Sequence, residues 1–332
     1  MAVYTQLGAE TLAALIGEFD VGDLRSVKGI AEGVSNSNWL IETSGSAPGG
    51  ATRFILTMYE KRVELDDLPF FLGLLDHLAE RHCPVPRTIH DRAGQAFRLL
   101  DGKAVALIEF LPGVSVSQPT AAQTAAVGGA LAQLHLAAAD FPTERSNGMG
   151  LGEWERLADA CTPAGLAGIE PGLDRLVADE LALLKARWPR DLPRSVIHAD
   201  LFPDNVLMLG AHVSGLIDFY FACTDITAYD LAVTHAAWCF DASGHKFDPV
   251  LSNALLAGYA AVRPIAPEER AAFPLLTRGA ALRFLLTRAY DWMNTPGDAL
   301  VTRKDPLAFA RRLRFYADPA QAALFAQWPL TV

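Results

Sequence analysis

Val196-Ile197-His198-Ala199-Asp200-Leu201-Phe202-Pro203-Asp204-Asn205 places a histidine, an aspartate and an asparagine at the spacing H-x-D-x-x-x-x-N, and the rest of the chain is read outward from it. Thirteen positions beyond Asn205 stands Asp218, in Leu216-Ile217-Asp218-Phe219. Two short apolar runs, Val206 to Leu209 and Val213 to Ile217, lead to it and read as a hairpin. One aspartate or asparagine in a loop is sufficiently explained by turn formation. His198, Asp200, Asn205 and Asp218 together, each in its expected context of strand and loop, are not.

The chemistry that needs these residue types is phosphoryl transfer, for which the spacing is that of a kinase catalytic loop. Its transition state spreads charge over the phosphoryl oxygens, so the protein must supply a magnesium clamp and an acceptor held in line. Asn205 and Asp218 offer the hard oxygens that magnesium prefers, and Asp200 can accept the proton of an attacking hydroxyl. His198 fits a bracing role in the loop.

The residues before the loop read as strand, turn and strand from Leu24 to Glu42, a third strand from Arg53 to Tyr59, and a helix entered at Asp66 or Asp67 with Pro69 in its first turn. Two further strands, Phe97 to Leu100 and Ala104 to Phe110, flank Asp101-Gly102, a tight-turn dipeptide. From about Pro119 the pattern turns helical, with loops expected at 142–152 and 163–172. The sum is an α+β chain of two lobes: 1–108 with a five-stranded antiparallel sheet and one helix, and 109–332, mostly helical.

Composition narrows the function class. The 332 residues, 51% hydrophobic and 20% charged, suit a folded soluble enzyme, and a net charge of -10 argues against nucleic acid as a partner. Arg311, Arg312 and Arg314 read as the solvated side of a helix. Cys83, Cys161, Cys223 and Cys239 form no Cys-x-x-Cys pair and suggest a reducing compartment. Residues 1–17 lack a secretory layout and read as a first helix. The charge-free run Ala121 to Ala139 repeats Val127, Leu131, Leu134 and Ala138 at helical spacing, as a core helix does, so no membrane span is expected. Location is expected to be cytoplasmic, and the oligomeric state stays open between monomer and homodimer. Gly148-x-Gly150-x-Gly152 has no strand before it and reads as a loop, and no P-loop motif is present.

Several stretches resemble the aminoglycoside phosphotransferase and choline kinase group of the protein-kinase-like fold, and within it the bacterial homoserine kinases. They are Lys28-Gly29-Ile30-Ala31-Glu32-Gly33 with Ser35-Asn36-Ser37-Asn38, Tyr59-Glu60-Lys61-Arg62-Val63, His198-Ala199-Asp200-Leu201-Phe202, Gly215-Leu216-Ile217-Asp218-Phe219-Tyr220 and Tyr229-Asp230-Leu231. The resemblance spans nearly the whole chain. It implies ATP and magnesium as cofactors and a small-molecule acceptor, L-homoserine, phosphorylated on its side-chain hydroxyl for threonine biosynthesis. It makes Asp200 the catalytic base, Asn205 and Asp218 the magnesium ligands, and the backbone of Glu109, Phe110 and Leu111 the hinge that meets adenine.

The phosphate loop departs from G-x-G-x-x-G. Gly33, Ser35, Asn36 and Ser37 are the candidates to cover the phosphates. The third-strand lysine of protein kinases is also missing: Thr57 stands in its place, and Lys61 or Lys28 is left to supply the charge. For the acceptor, a guanidinium suits a carboxylate, and the helix 280–292 offers Arg283 and Arg288, with Arg283 the better placed. Asp225 is the candidate for the ammonium, Asp230 reads as structural, and Tyr220, Tyr229 and Trp238 are candidate pocket linings. Two rival readings stay open: an amino-alcohol or aminoglycoside acceptor, for which Trp238, Trp292 and Tyr229 would form an aromatic cage in the choline case, and a nucleotide-binding module without activity.

Overall fold

The structure is a computed structural model that describes residues 7–30, 36–45, 50–60, 64–295 and 303–321. It divides into two compact units, Met1–Pro112 and Gly113–Val332.

In the first unit, helix α1 (Ala9–Ile16) precedes strands β1 (Leu24–Ile30), β2 (Ser37–Thr43) and β3 (Arg53–Met58). Helix α2 (Leu68–Glu80) follows, then β4 (Thr88–Ile89), β5 (Arg98–Leu100) and β6 (Lys103–Glu109). The sheet runs β1-β2-β3-β6-β4, with β5 also on β6, and every pairing is antiparallel. Among the described residues the sheet therefore has six strands, not the five expected. The extra one, β4, is two residues long, too short to leave a periodic signal. Alternation along β2 turns Trp39 and Ile41 inward, where they join Leu12, Ile16, Phe54, Leu56 and Leu107 in one core.

Among the described residues the second unit carries eight α-helices and four strands. They are helices α3 (Ala121–Ala137), α4 (Leu151–Cys161), α5 (Pro163–Ile169), α6 (Leu173–Arg187), α7 (Thr227–Trp238), α8 (Pro249–Ala260), α9 (Pro267–Asn294) and α10 (Leu307–Ala317), with two strand pairs between them. One pair is β8 (Val206–Leu209) with β9 (His212–Leu216); the other is β7 (Arg194–Ile197) with β10 (Cys223–Ile226). The loop expected at 163–172 is in part α5, because Pro163 is tolerated in a first turn and the Thr162 hydroxyl caps it, accepting the Gly165 N–H at 3.1 Å.

Thr120 and Gln123 close a capping box at the start of α3, and Val127, Leu131 and Leu134 are fully buried there. The helix lies against α8 at two glycines. A Cβ on Gly128 would sit 2.2 Å from the Leu255 carbonyl oxygen, and one on Gly258 2.0 Å from that of Ala125, so this contact admits no side chain at either point. No helix among the described residues is long and apolar enough to cross a membrane.

The arginine run before the C-terminus is not a solvated face. Arg312 is 4% exposed, donates to the carbonyls of Ala308 and Asp241 at 2.8 Å each, and lies over the rings of Phe309 and Phe240. Arg314 is at the surface, paired with Glu170.

Candidate active site

The loop between β7 and β8 is built around Ala199, whose φ of 63° is a left-handed conformation that a non-glycine residue adopts only at a cost. Both sides of this residue are held. Asp230, in the first turn of α7, accepts the backbone N–H groups of His198 at 2.6 Å and of Ala199 at 2.8 Å. From α9, Arg283 donates to the Ala199 carbonyl.

Asp230 is itself supported by His135 of α3, whose Nε2–H donates to its carboxylate at 3.0 Å while Nδ1 accepts the Tyr259 hydroxyl at 2.7 Å. Burial alone would push the Asp230 carboxyl up, but the hydrogen bonds from the His135 side chain and the His198 backbone hold it below the ordinary range. It stays ionised inside the protein.

His198 braces the next turn. Its Nε2–H donates to the Ile217 carbonyl at 2.9 Å, and Nδ1 accepts the Asp200 N–H at 3.2 Å. Burial pushes the imidazole pKa down, so the ring is neutral, as both bonds require. The Asn205 amide donates to the Asp200 carbonyl at 2.8 Å and to its Oδ2 at 3.3 Å. Ile217 N–H donates to the Asn205 carbonyl at 3.0 Å, which ties the start of β8 to the residue before Asp218. Asp218 has φ 65° and ψ 60°, a second left-handed residue, at the bend that ends the hairpin. Asp200, Asn205 and Asp218 are thus brought together by one network.

Their electrostatics fit the same picture. Burial lifts the Asp200 carboxyl to about 7, opposed by Arg283 and reinforced by Asp218 and Asp204. Asp218 is lifted to about 6, by desolvation and then by Asp204. The charges of Asp218 and Asp204 reach Asp200, and that of Asp204 reaches Asp218, an excess of negative charge that a divalent cation would neutralise.

The other expected residues divide. Tyr220 follows Asp218 in a short 3-10 turn, and its N–H donates to the Asp218 carboxylate. Asp225 is not with the loop: it accepts from Asn147 at 2.7 Å and pairs with Arg194 at 3.3 Å on β10. Arg283, expected to face an acceptor, is 1% exposed, packed on the rings of Phe284 and Phe221 with Nη1 committed to Ala199. Its charge opposes the rise in the Asp200 pKa.

The aromatic residues do not gather into a cage. Trp238 donates its indole N–H to the Leu201 carbonyl at 2.9 Å, Tyr229 is buried against Trp154 and Trp188, and Trp292 lies under Arg303. Missed in the sequence were His135 and Lys304, the latter 3.5 Å from Asp204. The signal for His135 was a lone ionisable residue in a charge-free helix.

In the first unit, Gly33, Ser35 and Lys61 lie outside the described residues. The Asn36 side-chain Oδ1 accepts the Glu60 N–H at 3.4 Å, and the Ser37 hydroxyl donates to Glu60, which also pairs with Lys103 at 2.6 Å. Thr57 is buried and donates to Asn38 at 2.8 Å, so a neutral cross-strand bond occupies the position of the kinase lysine. Glu109 pairs with Arg87 through its N–H and its carboxylate, and Arg53 lies over the ring of Phe110; Leu111 follows at the end of β6.

This loop, with the oxygens of an asparagine and an aspartate beside the half-buried Asp200, has the arrangement of a phosphotransferase of the protein-kinase-like class. The model of the phosphotransferase enzyme family, which includes aminoglycoside phosphotransferases, matches residues 26–265, and the chain belongs to that family. It is 50% identical to the homoserine kinase of Xanthobacter autotrophicus over 97% of this chain and 98% of that protein. It is 51% identical to the homoserine kinase of Methylobacterium radiotolerans, with the same coverage. Among solved structures, an amicoumacin kinase in complex with AMP-PNP and Ca2+ is similar in fold, with a TM-score of 0.69 at 12% identity over 97% of this chain and 95% of that one.

Proposed function

We propose that this chain transfers the γ-phosphoryl group of ATP to the side-chain hydroxyl of L-homoserine, giving O-phospho-L-homoserine for threonine synthesis. The observation that carries the reading is the placement of Asp200 within a full-length likeness to homoserine kinases. A carboxylate raised to about 7 is a stronger base than an exposed one, yet still about half ionised at neutral pH. It takes the hydroxyl proton as the oxygen attacks phosphorus.

Asn205 and Asp218 would hold Mg2+, which supplies charge neutralisation on the phosphates when bound. The donor set fits: with its amide given to Asp200, Asn205 presents a carbonyl oxygen, and Asp218 a carboxylate. His198 and Asp230 fix the loop, and Arg283 keeps Asp200 from titrating still higher. Asn36, Ser37 and the backbone from Glu109 to Leu111 are the nucleotide contacts on the first unit, with Gly33, Ser35 and Lys61. Tyr220 lines the acceptor side. The ion pairing of Asp225 with Arg194 favours a structural role for it.

The test is a coupled ADP-release assay with L-homoserine, L-serine, choline and kanamycin, repeated with Asp200→Asn. Turnover is expected on L-homoserine, with loss in the variant. Turnover on choline or kanamycin instead would overturn the acceptor, and undiminished activity in the variant would overturn the role of Asp200.

A further inference from the structure

An amino-acid acceptor brings a carboxylate, and Arg283 is committed elsewhere. Five residues on along α9 is Arg288, turned about 140° round the helix from Arg283. Its Nη1 donates to the Asp305 carbonyl at 3.3 Å, and its guanidinium lies 4.5 Å from the centroid of the Phe309 ring.

The segment it touches is tied to the catalytic loop. Next to Asp305, Lys304 lies 3.5 Å from Asp204 and 5.9 Å from the Phe202 ring centroid. The Phe309 ring is 6.1 Å from that of Phe202, and Phe284 stands between them at 4.8 and 5.1 Å. Arg288 therefore stands on an aromatic wall whose first member, Phe202, follows Asp200 by two residues.

Like Arg283 and Arg312, which are more deeply buried, Arg288 is bonded to a carbonyl and not to a carboxylate. Arg278 is bound by Glu180 at 2.7 Å and Arg263 by Glu269 at 2.9 Å, but no carboxylate side chain among the described residues lies within ion-pair distance of Arg288. Burial and then the neighbouring Arg312 push it down to about 10, opposed by Asp305, Asp204 and Asp200, so it remains charged at neutral pH and lies in the field of the catalytic carboxylate. A half-buried guanidinium that gives one bond to a carbonyl keeps donors for a planar anion.

We propose that Arg288 receives the carboxylate of the amino-acid acceptor and so sets its hydroxyl against Asp200. This rests on the homoserine reading. The recognition is a charged fork meeting a carboxylate, with the Phe309 ring holding the guanidinium plane in place.

The experiment is steady-state kinetics on the full chain with L-homoserine and with L-homoserinol, which keeps the reacting hydroxyl and replaces the carboxylate by a hydroxymethyl group. Wild type, Arg288→Gln and Arg288→Lys are compared, with the KM for ATP as an internal check on folding. In Arg288→Gln the KM for L-homoserine is expected to rise on the order of tenfold to a hundredfold, while kcat/KM for L-homoserinol and the KM for ATP change less than about twofold. Arg288→Lys, which keeps charge without the fork, should fall between. An unchanged KM for L-homoserine in both variants would sink the proposal, and so would an equal loss on both alcohols. A wild type inactive on L-homoserine would instead refute the function proposed above.

Discussion

Asp230 Oδ1 accepts the backbone N–H of Ala199 at 2.8 Å, and Ala199 is the left-handed residue immediately before Asp200, the proposed base. The strain at that position, of order 1–2 kcal/mol, persists because a buried carboxylate holds one side of the residue and a buried guanidinium the other. Asp200 is aimed by this clamp. Asp230→Asn turns an acceptor that serves two backbone N–H groups and His135 into a group with one acceptor atom and two donors. Loss of stability of about 1–3 kcal/mol is expected by thermal or denaturant unfolding. A fall in kcat on the order of a hundredfold is expected with little change in the KM for ATP. Full activity in a destabilised Asp230→Asn protein would show that the clamp is structural only.

Asp204 raises both Asp200 and Asp218. Its side chain is 64% exposed and paired only with Lys304 among the described residues, so Asp204→Asn should fold normally. Removing a negative charge beside a carboxyl lowers its pKa, and the released Lys304 acts in the same direction. The base is active when ionised, so the acidic limb of kcat/KM should move to lower pH in Asp204→Asn. A limb that stays put or moves upward would mean that this limb does not report Asp200.

Much of this site was legible because it is local. His198, Asp200 and Asn205 fall within eight residues, and Asp218 ends a hairpin that alternation reveals. What holds them is not local: Asp230 reaches the loop from 30 residues on in the chain and His135 from a helix 95 residues before that. Nothing in Tyr-Asp-Leu-Ala says that its aspartate turns toward a loop instead of capping a helix. The two sheet pairs of the second unit show the same divide. The strands β8 and β9 adjoin a tight turn and were expected, whereas β7 pairs with β10 across the 25 residues 198–222 and was not. Arg283 and Arg312 were misplaced because long charged side chains in a helix do not disclose whether a carbonyl awaits them inside.

The crossing of α3 and α8 offers a test independent of chemistry. At Gly258 a Cβ would meet the Ala125 carbonyl oxygen at 2.0 Å, a backbone atom that cannot swing aside. Helix propensity alone would favour alanine there by about 1 kcal/mol. Overpacking should win, because the two helices must separate. Gly258→Ala is expected to destabilise the chain by about 1–3 kcal/mol in denaturant unfolding. Since α3 carries His135, the same substitution should also lower kcat. A stabilised Gly258→Ala protein would mean that the helices are not this close.

His235 lies fully buried between the Tyr316 hydroxyl, 2.7 Å from Nδ1, and the Ser252 hydroxyl, 2.8 Å from Nε2. Burial pushes its pKa down to about 3, against about 6.5 for an unfolded histidine. The unfolded chain therefore binds a proton that the native one refuses throughout that window. Stability contributed by a neutral His235 is complete above about pH 6.5 and declines by about 1.4 kcal/mol for each unit of acidification below it. Carboxylates also respond to acid, so the comparison is with His235→Gln, which cannot take up the proton. Its stability is lower at neutral pH, where two buried hydrogen bonds are disturbed, but its acid slope between pH 6.5 and 4 should be shallower. Denaturant unfolding across that range reads the difference, and parallel curves for the two proteins would show that His235 is already protonated in the native state.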